Sequence, residues 1–177
     1  QMCIRDRNIS DYLKSQHTTI SVTQIQNYTH YLSSAFLIHR VERYDLVGKR
    51  VFEIGEKYYF ENLGIRNIVI GYRITDRAKL LENLVYNHLL YLGYEVRIGY
   101  IGDKEIDFIG EKSNEKIYVQ VALQIDNEVT AQREFGNLLK IPDNYPKIVV
   151  TDEAFQGNTY EGIRHYSIQD FLSGFGG

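Results

Sequence analysis

A run near the middle of the chain, residues 117–125, alternates apolar and polar side chains in the sequence IYVQVALQI. Ile117, Val119 and Val121 share one side of this run with Leu123 and Ile125, whereas Tyr118, Gln120, Ala122 and Gln124 share the other. A period of two is typical of a β-strand, because successive side chains point to opposite faces of a sheet. A strand of this kind needs paired neighbours and a covering layer, so the run predicts a sheet at the centre of the fold.

The segments around this strand supply both the neighbours and the covering layer. LLENLVYNHLLYLG has an apolar helical stripe and ends on Gly93, a helix stop signal. Two strand-like runs follow, YEVRIGYI and EIDFIGEK, and after residues 117–125 come a helix over roughly residues 130–139 and the strand PKIVVT. Residues 163–171 read as a strand and a short helix. The predicted order αβββαβ belongs to the α/β class.

The N-terminal third has a different pattern. Ser21 and Gln24 form a capping box before a helix whose apolar face holds Ile25, Tyr28 and Leu32. Two strands follow, AFLIHRVERY and VFEIGEKYYF, joined by a turn that contains Gly48. Helix, turn, helix and β-hairpin is the order of a winged helix-turn-helix. We therefore predict a partial winged helix over residues 9–62, a joint over 63–80 and an α/β domain over 81–174.

The first residues, QMCIRDR, are unusual for a protein N-terminus. They back-translate as CAG-ATG-TGT-ATA-AGA-GAC-AG, which resembles the adapter end of transposase-based sequencing libraries. We expect residues 1–8 to be derived from an adapter or to form a disordered leader, with Met2 and Ile4 outside the core. The natural segment is then a C-terminal piece of a longer protein, and Ile9, Tyr12 and Leu13 are left half-covered where a helix is missing.

Composition excludes several classes of protein. The chain has 20 Lys and Arg against 23 Asp and Glu, a net charge of −3, which does not suit a basic protein that coats nucleic acid. Its uncharged stretches are too short to cross a bilayer, and a single cysteine excludes a disulfide framework, so we expect a cytoplasmic protein. There is no G-x-x-x-x-G-K-[ST] loop, so these residues alone should not hydrolyse ATP.

Three residues of the α/β segment form a candidate catalytic site: Glu82, Asp107 and Gln120. Glu82 lies at the edge of the helical stripe, Asp107 lies mid-strand with Ile106 and Phe108 on the other face, and Gln120 follows on the next strand. A helix acid, a strand acid and an x-residue-x pair occur in this order in PD-(D/E)XK nucleases. There the acids hold a divalent metal that activates water, and a lysine stabilises charge.

In this chain the third acid is replaced by Gln120, and Ala122 stands at the lysine position. Glu82 and Asp107 are the candidate Mg²⁺ ligands if the site is active, and Lys104 could supply the missing cation from the neighbouring strand. Because each replacement weakens the same transition state, we expect a degenerate site without nuclease activity.

The helix after Ser21 carries polar side chains able to contact base edges, among them Gln24 and Asn27. It has no Lys or Arg between residues 22 and 34, so phosphate contacts would fall to residues that follow it: Arg40, Arg43, Lys49 and Arg50. DNA and a protein surface are equally consistent with this helix as its partner.

Several motifs in order resemble a known family: LLENLVYNHLLYLGYEVRIGYIGDKEIDFI, YVQVALQIDNEVTAQREFGNLLKIPDNYPKIVVTD, and upstream NYTHYLSSAFLIHRVERYD with KYYFENLGIRN. They are similar to the C-terminal domain of unknown function of a prokaryotic AAA+ ATPase family and to the segment that precedes that domain. The resemblance implies an upstream ATPase module that binds ATP, a winged helix, and a restriction-endonuclease-like fold whose active site is usually incomplete.

We therefore expect a non-catalytic recognition region of an AAA+ ATPase that binds nucleic acid or a protein partner, without a cofactor in this segment and without a membrane partner. A metal-dependent nuclease and a structural module for oligomer assembly are the alternatives.

Overall fold

The computed structural model describes residues 6–52, 56–153 and 159–175, with side chains from residue 11 onward except at residue 128. The chain is a mixed α/β protein. The N-terminal part contains, in order, α1 (Asp6–Ser15), α2 (Val22–Ser34), β1 (Ile38–Val41), β2 (Arg43–Asp45), β3 (Arg50–Val51), β4 (Lys57–Phe60) and α3 (Leu63–Ile70). The rest contains a 3₁₀ turn (Ile74–Asp76), α4 (Arg77–Tyr91), β5 (Glu95–Ile101), β6 (Lys104–Lys112), β7 (Glu115–Ala122), α5 (Glu128–Leu139), β8 (Lys147–Thr151), β9 (Thr159–Tyr160), β10 (Ile163–Ser167) and α6 (Ile168–Gly174).

Within the described residues, eight strands form one sheet in the order β3-β2-β5-β6-β7-β8-β10-β9. Strand β6 runs antiparallel to both β5 and β7. By contrast, β2 is parallel to β5, β8 is parallel to β7, and β10 is parallel to β8. Helices α4 and α6 cover one face of this sheet and α5 covers the other, which gives two apolar clusters. The predicted α/β class and the order α4-β5-β6-β7-α5-β8 are present in the structure.

The local patterns explain why these elements form. In β7, Ile117 and Val119 pack under α4, whereas Tyr118 packs under α5, as the alternation predicts. The stripe of α4 is buried at Leu81, Val85 and Leu89, and the helix ends before Gly93, which has a φ of 86°. Ile125 lies beyond the end of β7 and packs against the opposite cluster, so the alternation stops where the strand stops.

Strand β6 departs from the predicted alternation at Asp107. Ile109 pairs with Arg97 and Ile106 pairs with Gly99, so two residues of β6 face the single residue Ile98 of β5. This bulge turns the strand, and Ile106 and Phe108 consequently lie in opposite apolar clusters. The expectation that both share the face opposite Asp107 was wrong because a bulge shifts the period of two.

The predicted hairpin is divided between two sheets. Strand β1 pairs with β4 in a separate two-stranded sheet, whereas β2 pairs with β3 and also with β5 of the large sheet. The region predicted as a joint, residues 63–80, is largely helical, and α4 starts at Arg77 rather than at residue 81. The two predicted domains therefore share a sheet.

The helices at the N-terminus expose most of their apolar side chains. The capping box of Ser21 and Gln24 is formed, and Ile25 is buried, but Tyr28 and Leu32 are exposed. The apolar face predicted for α2 is thus buried at Ile25 and open at the other two positions. Tyr12 is exposed and Leu13 is half-buried.

The predictions for Met2 and Ile4 lie outside the described residues, as does the prediction for the Ile9 side chain. No helix in the described part of the chain is long and apolar enough to span a bilayer.

Candidate functional site

A cleft of about 1240 Å³ lies where β4, α4, β6, β7 and α5 meet. Its floor includes six polar side chains that are buried or half-buried, and three of them are the predicted site residues: Glu82, Asp107 and Gln120, with Lys57, Glu105 and Glu134. The structure thus brings the predicted residues together from a helix and two strands. Their chemical role stays a prediction, and it depends on Lys57, Glu105 and Glu134, which the sequence analysis did not place here.

Lys57 is the centre of this floor. Its Nζ lies 2.7 Å from Glu105 Oε1, 2.9 Å from Glu82 Oε1 and 4.0 Å from Asp107 Oδ1. Burial alone would lower the pKa of Lys57, but the negative charges of Glu82, Asp107 and Glu105 outweigh it and raise this pKa. Lys57 is therefore a buried ammonium ion that neutralises a group of carboxylates.

Glu82 reaches the floor from the first half of α4. Its Oε1 accepts a hydrogen bond from the Tyr59 hydroxyl at 2.6 Å as well as the one from Lys57. Burial and the charge of Glu82 raise the pKa of Tyr59, so its hydroxyl stays a donor. Lys57 and Tyr59 are two residues apart on β4 and thus reach the same carboxylate.

The bulge in β6 brings Asp107 to the floor. Asp107 Oδ2 accepts a hydrogen bond from the Val121 amide at 2.8 Å, and the Asp107 amide donates to Gln120 Oε1 at 3.3 Å. Burial raises the pKa of Asp107, and the nearby charge of Glu82 raises it further, whereas Lys57 lowers it. The net result is a carboxyl that binds its proton unusually tightly.

Gln120 takes part in a hydrogen-bonded row rather than in an acid pair. Its Nε2 donates to Glu134 Oε2 at 3.3 Å, and Glu134 Oε1 accepts from Arg133 Nε at 2.8 Å. With the backbone of Asp107 on its other side, the amide bridges two carboxylate residues. A glutamate at position 120 would face Glu134 directly, so Gln120 suits this neighbour.

Glu105 is the acid that lies closest to two buried cations, Lys57 and Arg43. Its Oε1 forms the ion pair with Lys57, whereas its Oε2 accepts a hydrogen bond from the Tyr100 hydroxyl and lies 3.7 Å from Arg43. Burial raises the pKa of Glu105, but Lys57, Tyr100 and Arg43 more than offset this and lower it. Glu105 is therefore held as a carboxylate.

Two of the basic residues named in the sequence analysis have surroundings that the sequence did not indicate. Arg43, predicted to contact phosphate, is 9% exposed and lies over the Tyr100 ring beside Glu105. Lys104, predicted to replace the missing lysine, forms an ion pair with the exposed Asp103 at 3.3 Å. Lys57 supplies the cation instead. One local feature of the sequence pointed to Lys57: it lies two positions from Tyr59 on an alternating strand, so both side chains are on the same face.

The floor as it is arranged does not fit a divalent metal. Mg²⁺ requires oxygen ligands around the position that it occupies, and here an ammonium group lies among the carboxylates. Within the ranges that the structure describes, no three His, Cys, Asp or Glu side chains are grouped so as to hold a metal ion. The prediction of Glu82 and Asp107 as metal ligands therefore requires Lys57 to leave.

The exposed residues at the mouth of the cleft are mainly basic, in contrast to the acidic residues on its floor. Five basic residues line the cleft with exposed or half-exposed side chains: Arg73, Lys79, Lys104, Arg133 and Lys140. Asp103 is the exposed acid among the described lining residues, whereas the others lie deeper. Charge is thus sorted by depth, with cations outside and neutralised acids inside.

The other predicted nucleic-acid-binding residues lie away from this cleft. Gln24 caps α2, and Asn27 is exposed on the same helix. Arg40 forms an ion pair with Glu56, Arg50 lies 3.8 Å from Asp45, and Lys49 is exposed at the hairpin turn. None of them is among the described residues that line the cleft.

Comparison with known proteins finds two relatives of similar sequence. An uncharacterized protein of Haemophilus influenzae is 36% identical over 169 residues, which cover 96% of this chain and 42% of that protein. An uncharacterized protein of Methanocaldococcus jannaschii is 27% identical over 170 residues, which cover 90% of this chain and 37% of that protein. The chain thus spans about two-fifths of the length of these relatives. No family model matches it.

Proposed function

We propose that this chain is a nucleic-acid recognition region that binds a phosphate backbone at the mouth of the cleft without cleaving it. The sorting of charge by depth carries the proposal. Exposed cations at a cleft mouth attract polyanions, because phosphate contacts dominate the affinity of proteins for nucleic acids. The whole chain has a net charge of −3, which would otherwise repel a polyanion.

The floor supports a role without catalysis. Hydrolysis of a phosphodiester by a PD-(D/E)XK site needs a metal bound to carboxylates, and here Lys57 lies 2.9 Å from Glu82 and 4.0 Å from Asp107. Gln120 and Ala122 add no charge at the positions where the nuclease pattern needs an acid and a lysine. A strand bound at the mouth would meet a neutralised floor.

We further propose that the large sheet belongs to the restriction-endonuclease-like folds and that α1, α2 and the divided hairpin are a modified winged helix. The order αβββαβ and the bulge that aims Asp107 into the cleft support the first assignment. The capping box and the order helix, helix, hairpin support the second.

The parent protein, in this proposal, is an AAA+ ATPase whose ATP-binding module is not among these residues. The length of the two relatives, more than twice the matched segment, leaves room for such a module.

Fluorescence anisotropy with labelled single- and double-stranded DNA, repeated over a series of salt concentrations, tests the binding. The double variant Arg73→Ala, Lys140→Ala should bind at least about tenfold more weakly, with a salt slope smaller by about 0.9 for each lost duplex phosphate contact. The matched control is Lys49→Ala, Arg50→Ala, which removes the same charge at the hairpin turn and should bind normally. No binding at low salt, or loss only in the control, would contradict the proposal.

A metal-dependent nuclease is the second candidate, in which Lys57 would leave the position of the metal and act as the cation of the site. Lys57 places a cation beside Glu82 and Asp107, which Ala122 does not provide. The cleavage experiment described in the Discussion distinguishes the two candidates.

A further inference from the structure

Helix α3 (Leu63–Ile70) is oriented with its charged residue inside and its apolar residues outside. Arg66 is 7% exposed and donates hydrogen bonds to Asp76 and to the carbonyl of Gly71. Ile68, by contrast, is 86% exposed and Val69 is 71% exposed. An amphipathic helix on a soluble domain normally shows the reverse arrangement.

The exposed apolar side chains follow the spacing of one helical face and continue beyond the helix. Ile65, Ile68 and Val69 are at i, i+3 and i+4, and Tyr72 and Ile74 follow with more than half of their surface exposed. Arg73, which lies between these last two, lines the cleft instead. We call these five apolar residues the α3 face.

The size of the α3 face indicates an interface. Its five large apolar residues are between 45% and 86% exposed, and exposed apolar patches larger than a few hundred Å² mark interaction sites on soluble domains. Each partner in a stable protein complex buries about 800 Å². The α3 face would supply the apolar centre of an interface of that size.

We infer that two copies of this chain associate through their α3 faces, with α3 packed against α3 about a twofold axis. All five residues of the face are uncharged, so a copy of the face can lie on itself without bringing like charges together. Twofold pairing is the commonest symmetry of protein oligomers, and it needs only one self-complementary patch. Burial of Ile68 and Val69 on both copies would remove the cost of exposing them. This inference does not depend on the proposed nucleic-acid binding.

Light scattering after gel filtration, over protein concentrations from micromolar to hundreds of micromolar, measures this association. The unmodified chain should approach twice its mass of 20.7 kDa. Ile68→Glu should weaken the association at least about tenfold, since the twofold axis would bury two carboxylates. The matched control is Tyr91→Glu, which changes another exposed large side chain at the end of α4 and should leave the dimer intact.

Ile68→Lys serves as a second variant, and circular dichroism verifies that each variant is folded. A mixture of Ile68→Glu and Ile68→Lys should recover the dimer that neither forms alone, because opposite charges would then meet near the axis. If the unmodified chain stays monomeric at the highest concentration, the α3 face does not mediate self-association, and the inference is overturned. Dimers that persist in both variants at position 68 would overturn it as well.

Discussion

At the scale of single residues, Lys57 has more influence on the cleft than any residue of the predicted nuclease pattern. Lys57→Met keeps a long side chain but leaves Glu82, Glu105 and Asp107 without their buried cation. Breaking a buried ion pair on one side commonly costs about 3–5 kcal/mol, and we expect a loss of that size in the free energy of unfolding. Urea denaturation measures it. Lys104→Met, at a half-exposed lysine, should cost about 1 kcal/mol or less.

A stability change below 1 kcal/mol in Lys57→Met would show that the carboxylates do not depend on this ammonium group. It would also remove the main argument that the floor is neutralised from within.

Asp107 gives a prediction about pH. Because its pKa is raised in the folded state, the native protein binds this proton more tightly than the unfolded chain does. Its contribution to stability therefore falls as pH rises from the ordinary value of 3.8 through the raised value. Asn at position 107 has no charge at any pH, so Asp107→Asn avoids this loss, and its amide oxygen can still accept the Val121 hydrogen bond. We expect the variant to be more stable than the unmodified protein at neutral pH.

The contribution of Glu105 to stability has the opposite dependence on pH. Its lowered pKa contributes stability that is present above the ordinary value of 4.5 and is lost as pH falls through the folded value. In Asp107→Asn this contribution is no longer offset, so stability should fall more steeply on acidification than in the unmodified protein. Urea unfolding at a series of pH values, with the exposed Asp11→Asn as control, measures both effects. Parallel pH profiles for the unmodified protein and Asp107→Asn would contradict this assignment.

At the scale of elements, the bulge between β5 and β6 decides where Asp107 points, and Gly99 lies beside it. A Cβ at position 99 would come within 2.9 Å of the Ile106 Cβ and 3.1 Å of Ile109. Gly99→Ala should therefore destabilise the protein by about 1–3 kcal/mol, as overpacking of a core usually does.

Gly136 in α5 is the matched glycine, because a Cβ there meets no described atom within 4 Å. Gly136→Ala should stabilise the protein by about 0.5–1 kcal/mol through the better helix propensity of alanine. Thermal melts measure both changes in stability, the expected decrease for Gly99→Ala and the expected increase for Gly136→Ala. A neutral Gly99→Ala would mean that β5 and β6 move apart at the bulge without cost.

At the scale of the whole molecule, the prediction concerns catalysis. We expect no detectable cleavage of single- or double-stranded DNA with Mg²⁺ or Mn²⁺. Phosphodiester hydrolysis needs a metal on several anionic oxygens and a cation near the developing charge, and losing one preorganised electrostatic partner commonly costs about a hundredfold or more in rate. Gel assays with radiolabelled substrates measure cleavage over a wide range of rates. Cleavage by the unmodified chain that Asp107→Ala abolishes would favour the nuclease alternative.

The double change Gln120→Glu, Ala122→Lys is the variant expected to recover some metal binding, which calorimetry with Mn²⁺ can detect. Glu134 lies 3.3 Å from the Gln120 amide, so the new carboxylate would add charge where one acid is already present. If Lys57 is the obstacle to a metal, the same change combined with Lys57→Met should bind Mn²⁺ more tightly than the double variant alone.

Local patterns in the sequence determined much of the fold and part of the site. The alternation of β7, the buried stripe of α4 and the capping box of α2 depend on residues at most a few positions apart. Such patterns have fixed periods, so they can be read before the chain is folded. They also placed Glu82, Asp107 and Gln120 on elements that meet.

Only the tertiary structure decided what surrounds those residues. Lys57 reaches Glu82 across 25 positions of sequence because β4 pairs with β1 and lies beside α4, a relation that no periodicity encodes. The bulge at Asp107 and the inverted orientation of α3 are decided in the same way, by strand register and by the partner that Arg66 finds in Asp76. Contacts between distant segments depend on how all the elements pack at once, and for that reason the charge of the cleft floor could not be predicted from the sequence alone.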